Sequence, residues 1–158
     1  MLEAHECYRN LGPVEIEPVV RELDALRFVD SGGVCAWVTD PKSKAPASLV
    51  ALVRSLGLGG RSARMFCRRL APGQSIAPHA DSEIQHEGSR LKAGDWRRFH
   101  VPLKSHPQIK MRWPEDGQEL HLEPGWLYEV RYDRTHEVVN PTLCERIHIQ
   151  IDQVGATI

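Results

Sequence analysis

The chain has 158 residues, of which 41% are hydrophobic and 26% are charged. This length and composition favour one globular domain and exclude a mainly disordered or fibrous protein. Lys and Arg number 20 against 21 Asp and Glu, so the basic excess that drives nucleic-acid binding is missing. No run of about 18 apolar residues indicates a membrane span, and the first six residues are polar and acidic, unlike a signal peptide. We therefore expect a cytoplasmic protein with neither nucleic acid nor a membrane as partner.

The N-terminal part, residues 1–60, is predicted to be mainly helical. Apolar residues recur at helical spacing over 17–28 and again over 46–56, which predicts two amphipathic helices. A short apolar run at 34–38 between them predicts a strand. No repeat or low-complexity segment divides the chain, so we expect a single domain over 1–158.

The remainder, residues 61–158, changes to short runs of period two separated by turn residues such as Pro72-Gly73 and Pro124-Gly125. Such a pattern is typical of antiparallel sandwiches and barrels. It predicts eight strands, at about 63–70, 75–79, 97–103, 108–113, 119–123, 126–132, 137–140 and 146–152. Eight strands fit a jelly roll. The predicted class is thus α+β, mainly β, with the N-terminal helices packed outside a jelly-roll core.

One long polar connection interrupts the predicted strands at residues 82–95. It contains Glu83, His86 and Arg90 among other charged residues. Two interpretations stay open: a solvated loop, or a lid over a functional site.

His79 and Asp81 are the first candidate metal ligands. They are two positions apart at the end of a predicted strand, so both side chains can face the same way. One imidazole and one carboxylate are two of the three ligands of a facial iron triad, and His136, at the mouth of a later predicted strand, is the candidate for the third. Taken alone, His79 and Asp81 are better explained as a buried structural histidine and a turn cap, and the other residues of the set are what favours a metal site.

Two predicted strands each carry one polar face. In the last strand Arg146, His148 and Gln150 alternate with isoleucines, and in the third strand Arg98 and His100 alternate with apolar residues. A guanidinium can bind a carboxylate through two parallel hydrogen bonds, so Arg146 is a candidate anchor for a dicarboxylate. A role in binding and a role as a buried histidine bonded to the backbone explain His148 equally well.

Four ordered segments resemble the aspartyl/asparaginyl β-hydroxylase family. They are LAPGQSIAPHAD at 70–81, RFHVPL at 98–103, HEVVN at 136–140 and Arg146. The resemblance covers roughly residues 70–152. It implies a double-stranded β-helix, the cupin-like form of the jelly roll, and an oxygenase that depends on Fe(2+), 2-oxoglutarate and O2. Bacterial proline hydroxylases are among the members of this group.

The resemblance also implies roles for individual residues. His79, Asp81 and His136 would bind the iron, and Arg146 would hold the distal carboxylate of 2-oxoglutarate. Arg98 and His100 would line the cosubstrate pocket near the metal.

Two hypotheses of function follow. In the first, the chain hydroxylates a C–H bond of a free amino acid or of an amino-acid side chain in a peptide, with decarboxylation of 2-oxoglutarate to succinate. In the second, it is a non-catalytic metal-binding cupin that binds or senses a small acid.

The Arg68-Arg69 pair indicates an exposed strand edge, although either residue could instead face a substrate carboxylate.

Overall fold

The structure, a computed structural model, describes residues 2–3, 5–23, 34–38, 46–59 and 63–155. For residues 34–38 it describes the backbone alone. In chain order its elements are β1 (Tyr8–Pro13), α1 (Glu17–Val20), β2 (Val34–Val38), α2 (Ala47–Ser55), β3 (Ala63–Leu70), β4 (Ser75–His79), β5 (Glu83–His86), β6 (Ser89–Lys92), β7 (Trp96–Lys104), β8 (Lys110–Trp113), a 3-10 helix (Pro114–Asp116), β9 (Gln118–Leu120), β10 (Trp126–Val130), β11 (His136–Val139) and β12 (Arg146–Val154).

Two antiparallel sheets form the jelly roll. The larger sheet has the strand order β1-β10-β7-β12-β3-β2, and the smaller sheet has the order β4-β11-β8-β9. Between them lies an apolar layer to which both sheets contribute, including Leu70, Met111, Trp113, Tyr128 and Val138. This architecture confirms the predicted mainly β, cupin-like jelly roll.

The helices cover the outer face of the larger sheet. Val19 of α1 and Leu49 and Val53 of α2 are buried against the apolar face of β12, formed by alternate residues such as Ile149 and Ile151. Because side chains alternate along a strand, this packing turns the polar residues of β12 inward, between the two sheets. The helices therefore lie outside the sheet, as predicted, and fix which face of β12 lines the interior.

The N-terminal third differs from the prediction in two respects. β1, which the sequence does not predict, pairs with β10 at the edge of the larger sheet. α1 begins at Glu17 as expected but ends at Val20, and turns follow it to Leu23. Residues 24–28 of the predicted helix lie outside the described residues. A helix of one turn is stabilised by its packing rather than by its own length, which explains why periodicity overestimates it.

The polar connection at 82–95 is a β-hairpin rather than an irregular loop. β5 and β6 pair around a two-residue turn at Glu87 and Gly88, whose φ angles of 47° and 80° are both positive. Positive φ at both central residues is typical of the tight turns that join paired strands. Ile84 of the hairpin is buried with Trp96 and Tyr132, so the hairpin is attached to the body of the domain.

Candidate metal and cosubstrate site

His79 and His136 lie opposite each other on β4 and β11, and their ring centroids are 4.4 Å apart. A β-bulge creates this pairing, because two residues of β4, Ala77 and Pro78, face the single residue Glu137 of β11. Bulges commonly re-aim side chains beside functional sites, and Pro78 has no N–H to lose from the ladder. The local sequence thus brings the two imidazoles together.

Asp81 completes a cluster of three metal-ligating groups. Its backbone N–H donates to the carbonyl of Tyr132 at 2.8 Å, which fixes the chain just after β4. One ligand atom each from His79, Asp81 and His136 lies within 4.8 Å of the others. His136 is buried, whereas the other two remain accessible to solvent. The structure therefore brings together the three residues that the sequence analysis selected as iron ligands.

The hydrogen bonds of both histidines leave one ring nitrogen free. Nδ1 of His79 contacts the carbonyl of Ala77 at 2.8 Å, and Nδ1 of His136 contacts the carbonyl of Arg134 at 2.9 Å. Since a carbonyl only accepts, each Nδ1 carries a proton, and Nε2 is the ring nitrogen left to face a metal. Burial lowers the pKa of His136, so its ring is neutral at neutral pH. In both residues the hydrogen bond of Nδ1 fixes the orientation of the ring, as the outer hydrogen bonds of metal-binding histidines do.

Arg98 connects the three-ligand cluster to a buried carboxylate. Its Nε and Nη2 donate to the two oxygens of Asp152, at 2.7 and 3.1 Å, and its Nη1 donates to Asp81. Burial alone would raise the pKa of Asp81, but the charge and hydrogen bond of Arg98 outweigh it and hold the pKa below its usual value. The guanidinium also lies over the rings of Trp96 and Tyr132. Asp81 is therefore ionised and held in position.

Asp152 is the site residue that the sequence analysis missed. It is fully buried and also accepts a hydrogen bond from Gln150. The signal was present in the alternation of β12, because Asp152 follows Arg146, His148 and Gln150 on the same polar face. Its partner, however, is 54 residues away in the chain, and no local pattern predicts that contact.

Arg146 and two histidines form a buried polar group next to this ion pair. Arg146 is 4% exposed, its Nη2 has no hydrogen-bond partner, and no carboxylate pairs with it among the described residues. Burial, with a smaller effect from the charge of Arg68, lowers its pKa to about 9, so it is still cationic at neutral pH. Burial and the charge of Arg146 also hold the pKa values of His100 and His148 well below the usual range.

The unpartnered atoms of this group fit an absent anionic ligand. Nδ1 of His100 and both ring nitrogens of His148 are buried without a hydrogen bond. Buried polar groups almost always have partners, and leaving one unsatisfied costs about 1–3 kcal/mol. His148 therefore does not have the backbone bond that a structural histidine would make.

Comparisons with known proteins support this fold and assign the chain to a family. A viral collagen prolyl hydroxylase from Paramecium Bursaria Chlorella virus-1, solved with 2-oxoglutarate, superposes with a TM-score of 0.63 at 12% identity, covering 94% of this chain and 97% of that one. A cupin 2 conserved barrel domain protein from Salinispora arenicola gives a TM-score of 0.52 at 15% identity, covering 84% and 86%. No curated protein matches the sequence significantly. Within the described residues, no helix is long and apolar enough to cross a membrane.

The family model for aspartyl/asparaginyl β-hydroxylase matches residues 28–155. This match includes all six residues of the predicted metal and cosubstrate site and most of both sheets. The chain belongs to the aspartyl/asparaginyl β-hydroxylase family.

Proposed function

We propose that this chain is an Fe(II)- and 2-oxoglutarate-dependent dioxygenase that hydroxylates a C–H bond of a free amino acid or an amino-acid side chain. The observation that carries the proposal is the clustering of His79, Asp81 and His136 within 4.8 Å of one another, in a protein that also buries the unpaired guanidinium of Arg146. Family membership supports the same reaction class.

The three clustered residues fit Fe(II) in chemistry as well as number. Two neutral imidazole nitrogens and one carboxylate are the ligand set of the facial triad, which leaves coordination positions open for cosubstrate and O2. Arg98 occupies one side of the Asp81 carboxylate, so it would orient the carboxylate toward the metal. When bound, the metal would supply the activation of O2 that oxidation of an unactivated C–H bond requires.

The buried polar group fits the dianion 2-oxoglutarate. Arg146 would pair with the distal carboxylate in a pocket of low water content, where charge-assisted hydrogen bonds are strong. His100 lies nearer to Arg98 along the sheet, and its neutral ring would donate to the oxygens at the metal end. The overall reaction consumes 2-oxoglutarate, O2 and the substrate C–H bond, and yields succinate, CO2 and the hydroxylated product.

The proposal is tested by succinate release from 2-oxoglutarate with Fe(II), O2 and a panel of amino acids and peptides. Asp81→Ala should lose most of this turnover at limiting iron, because one of three protein ligands is gone. Asp133→Ala is the matched control, since the Asp133 side chain is 34% exposed, against 31% for Asp81, and also pairs with an arginine. It should keep the wild-type rate.

Two results would contradict the proposal. Wild-type turnover by Asp81→Ala at limiting iron would remove this residue from the metal site. Retention of metal by the wild-type protein without decarboxylation across the whole panel would favour the small-acid-binding cupin instead.

A further inference from the structure

Arg68 lies with Arg98 and Arg146 on the inner face of the larger sheet, and the proposed iron and 2-oxoglutarate sites do not use it. It shares the inner face of β3 with Phe66, and its guanidinium lies 5.0 Å from the centre of the Phe66 ring. Its side chain is half-buried and its Nε has no hydrogen-bond partner. The next residue, Arg69, points to the outer face and donates to Glu145 at 2.7 Å. The two adjacent arginines therefore have different environments.

Charge in the interior is unbalanced before and after the proposed ligands bind. Among the described residues, four arginines of the inner face, Arg64, Arg68, Arg98 and Arg146, face two carboxylates, those of Asp81 and Asp152, and both carboxylates pair with Arg98. A divalent iron and a doubly charged 2-oxoglutarate add no net charge. Two positive charges are therefore left over, and with Arg146 occupied they are those of Arg64 and Arg68. Buried or half-buried cations without a counter-ion are costly, so the excess indicates a second anion.

The position of Arg68 separates it from the cosubstrate anchor. Across the sheet Arg68 lies opposite His148, whereas Arg146 lies opposite Leu70. Arg68 is therefore one strand to the side of Arg146 and one step nearer to the end where Arg98 meets Asp81. It is also nearer to solvent than Arg146. An anion held here would lie beside the proposed cosubstrate and nearer to solvent.

The guanidinium of Arg64 adds a second positive charge close to that of Arg68. Arg64 lies 4.9 Å from the centre of the Phe66 ring, two positions before Phe66 on the same strand face. Among the described residues Arg64 has no carboxylate partner. The inner face of β3 thus presents two cations around one aromatic ring, which suits a carboxylate attached to a small apolar body.

We propose that Arg68 binds a carboxylate of the substrate, and that the hydroxylated molecule is therefore itself an acid. This inference rests on the proposed function and names its substrate class. Two sources offer the same chemistry: the α-carboxylate of a free amino acid, and the side-chain carboxylate of an aspartyl residue in a peptide.

Equilibrium binding under anaerobic conditions tests the inference without turnover. The protein loaded with Fe(II) and 2-oxoglutarate is titrated with three acids: L-proline, L-aspartate and a blocked peptide containing one aspartate. Prolinamide and the matching asparagine peptide serve as controls in which an amide replaces the carboxylate. For at least one acid, the dissociation constant of the wild type should be lower than that of the matching amide by about tenfold or more. Binding of L-proline but not of the blocked aspartyl peptide identifies an α-carboxylate, and the reverse identifies a side chain.

Variants at the two adjacent arginines provide the matched comparison. Arg68→Gln should weaken carboxylate binding by about tenfold or more, because it removes charge-assisted hydrogen bonds, and Arg68→Lys should recover part of the loss. Arg69→Gln, on the outer face, should bind as the wild type does. The affinity of Arg68→Gln for 2-oxoglutarate should stay within about twofold of the wild-type value.

Several outcomes would overturn the inference. These are binding of no carboxylate by the wild type, equal binding of acids and amides, or an unchanged carboxylate affinity in Arg68→Gln. An equal loss of 2-oxoglutarate affinity in that variant would assign Arg68 to the cosubstrate anchor instead. Failure of the proposed function is distinguishable, because the wild type would then release no succinate from 2-oxoglutarate, whatever its affinity for the carboxylates.

Discussion

Removing the buried charge of Asp152 tests whether this residue positions Arg98 and, through it, Asp81. Asp152→Asn keeps the side-chain shape and removes the charge. Asp152 is fully buried and Arg98 is 7% exposed, and loss of one partner from a buried ion pair costs about 3–5 kcal/mol. The Asn oxygen still accepts a hydrogen bond and Asp81 still pairs with Arg98, so we expect about 3 kcal/mol. For a chain of this length, the melting temperature should fall by about 6–12 °C.

The same variant should weaken metal binding. With Asp152 neutral, the full charge of Arg98 falls on Asp81, and an incoming divalent ion must compete with it and is repelled by it. Loss of a residue that supports a metal ligand typically costs 10–100-fold in affinity, so we expect the Fe(II) dissociation constant to rise at least about tenfold. Anaerobic calorimetric titration with Fe(II) measures this constant, and urea unfolding measures the stability.

Glu129→Gln separates the two effects. Glu129 makes the same two-pronged pair with Arg97, at 2.7 and 2.6 Å, but on the opposite face of the sheet from the metal cluster. It should lose stability, about 2 kcal/mol, and keep wild-type Fe(II) affinity. If Asp152→Asn lost stability but bound Fe(II) like the wild type, the positioning role of Asp152 would be refuted.

Three further outcomes are expected. Arg146→Lys should raise the KM for 2-oxoglutarate by about tenfold or more in the succinate assay, with Fe(II) affinity unchanged, because an ammonium cannot reproduce the guanidinium's two parallel bonds. The pKa values of His100 and His148 are depressed in the folded protein, so below about pH 6.5 the unfolded chain binds more protons than the folded one. The free energy of unfolding should therefore fall with decreasing pH, by up to about 1.4 kcal/mol per pH unit for each histidine. In urea unfolding measured across this pH range, His148→Gln should remove the contribution of one histidine. In hydrogen exchange, substrate should protect the hairpin region 82–95 more than the turn at 114–117 if the hairpin acts as a lid.

Strand positions were predictable where alternation and turn residues agree. The bounds of β3 and β4 match the prediction because Pro72 and Gly73 separate two short runs of period two. The polar face of β12 was predictable for the same reason, since period-two alternation fixes which residues share a face whatever the strand pairs with.

Two strands of the hairpin and one edge strand could not be predicted, for a different reason. The hairpin turn places Glu87 before Gly88, where Asn or Asp is the usual residue, so the local turn signal is weak. β1 contains Gly12 and ends at Pro13, both unfavourable in strands. It forms because β10 offers an unpaired edge, and that edge exists only after the sheet has assembled.

Within the site, the sequence predicted the residues but not which of them would have partners, and that difference carries functional information. Asn140 is as buried as His148, yet its amide donates to the carbonyls of Ala71 and Cys144 and accepts from Thr142. Asn140 therefore stabilises a loop without needing any ligand. His148 has neither ring nitrogen satisfied, which costs stability in the free protein. A ligand that satisfied those atoms would recover that cost as binding free energy and raise the stability of the folded state. Unsatisfied burial thus distinguishes binding residues from structural ones where residue type alone does not.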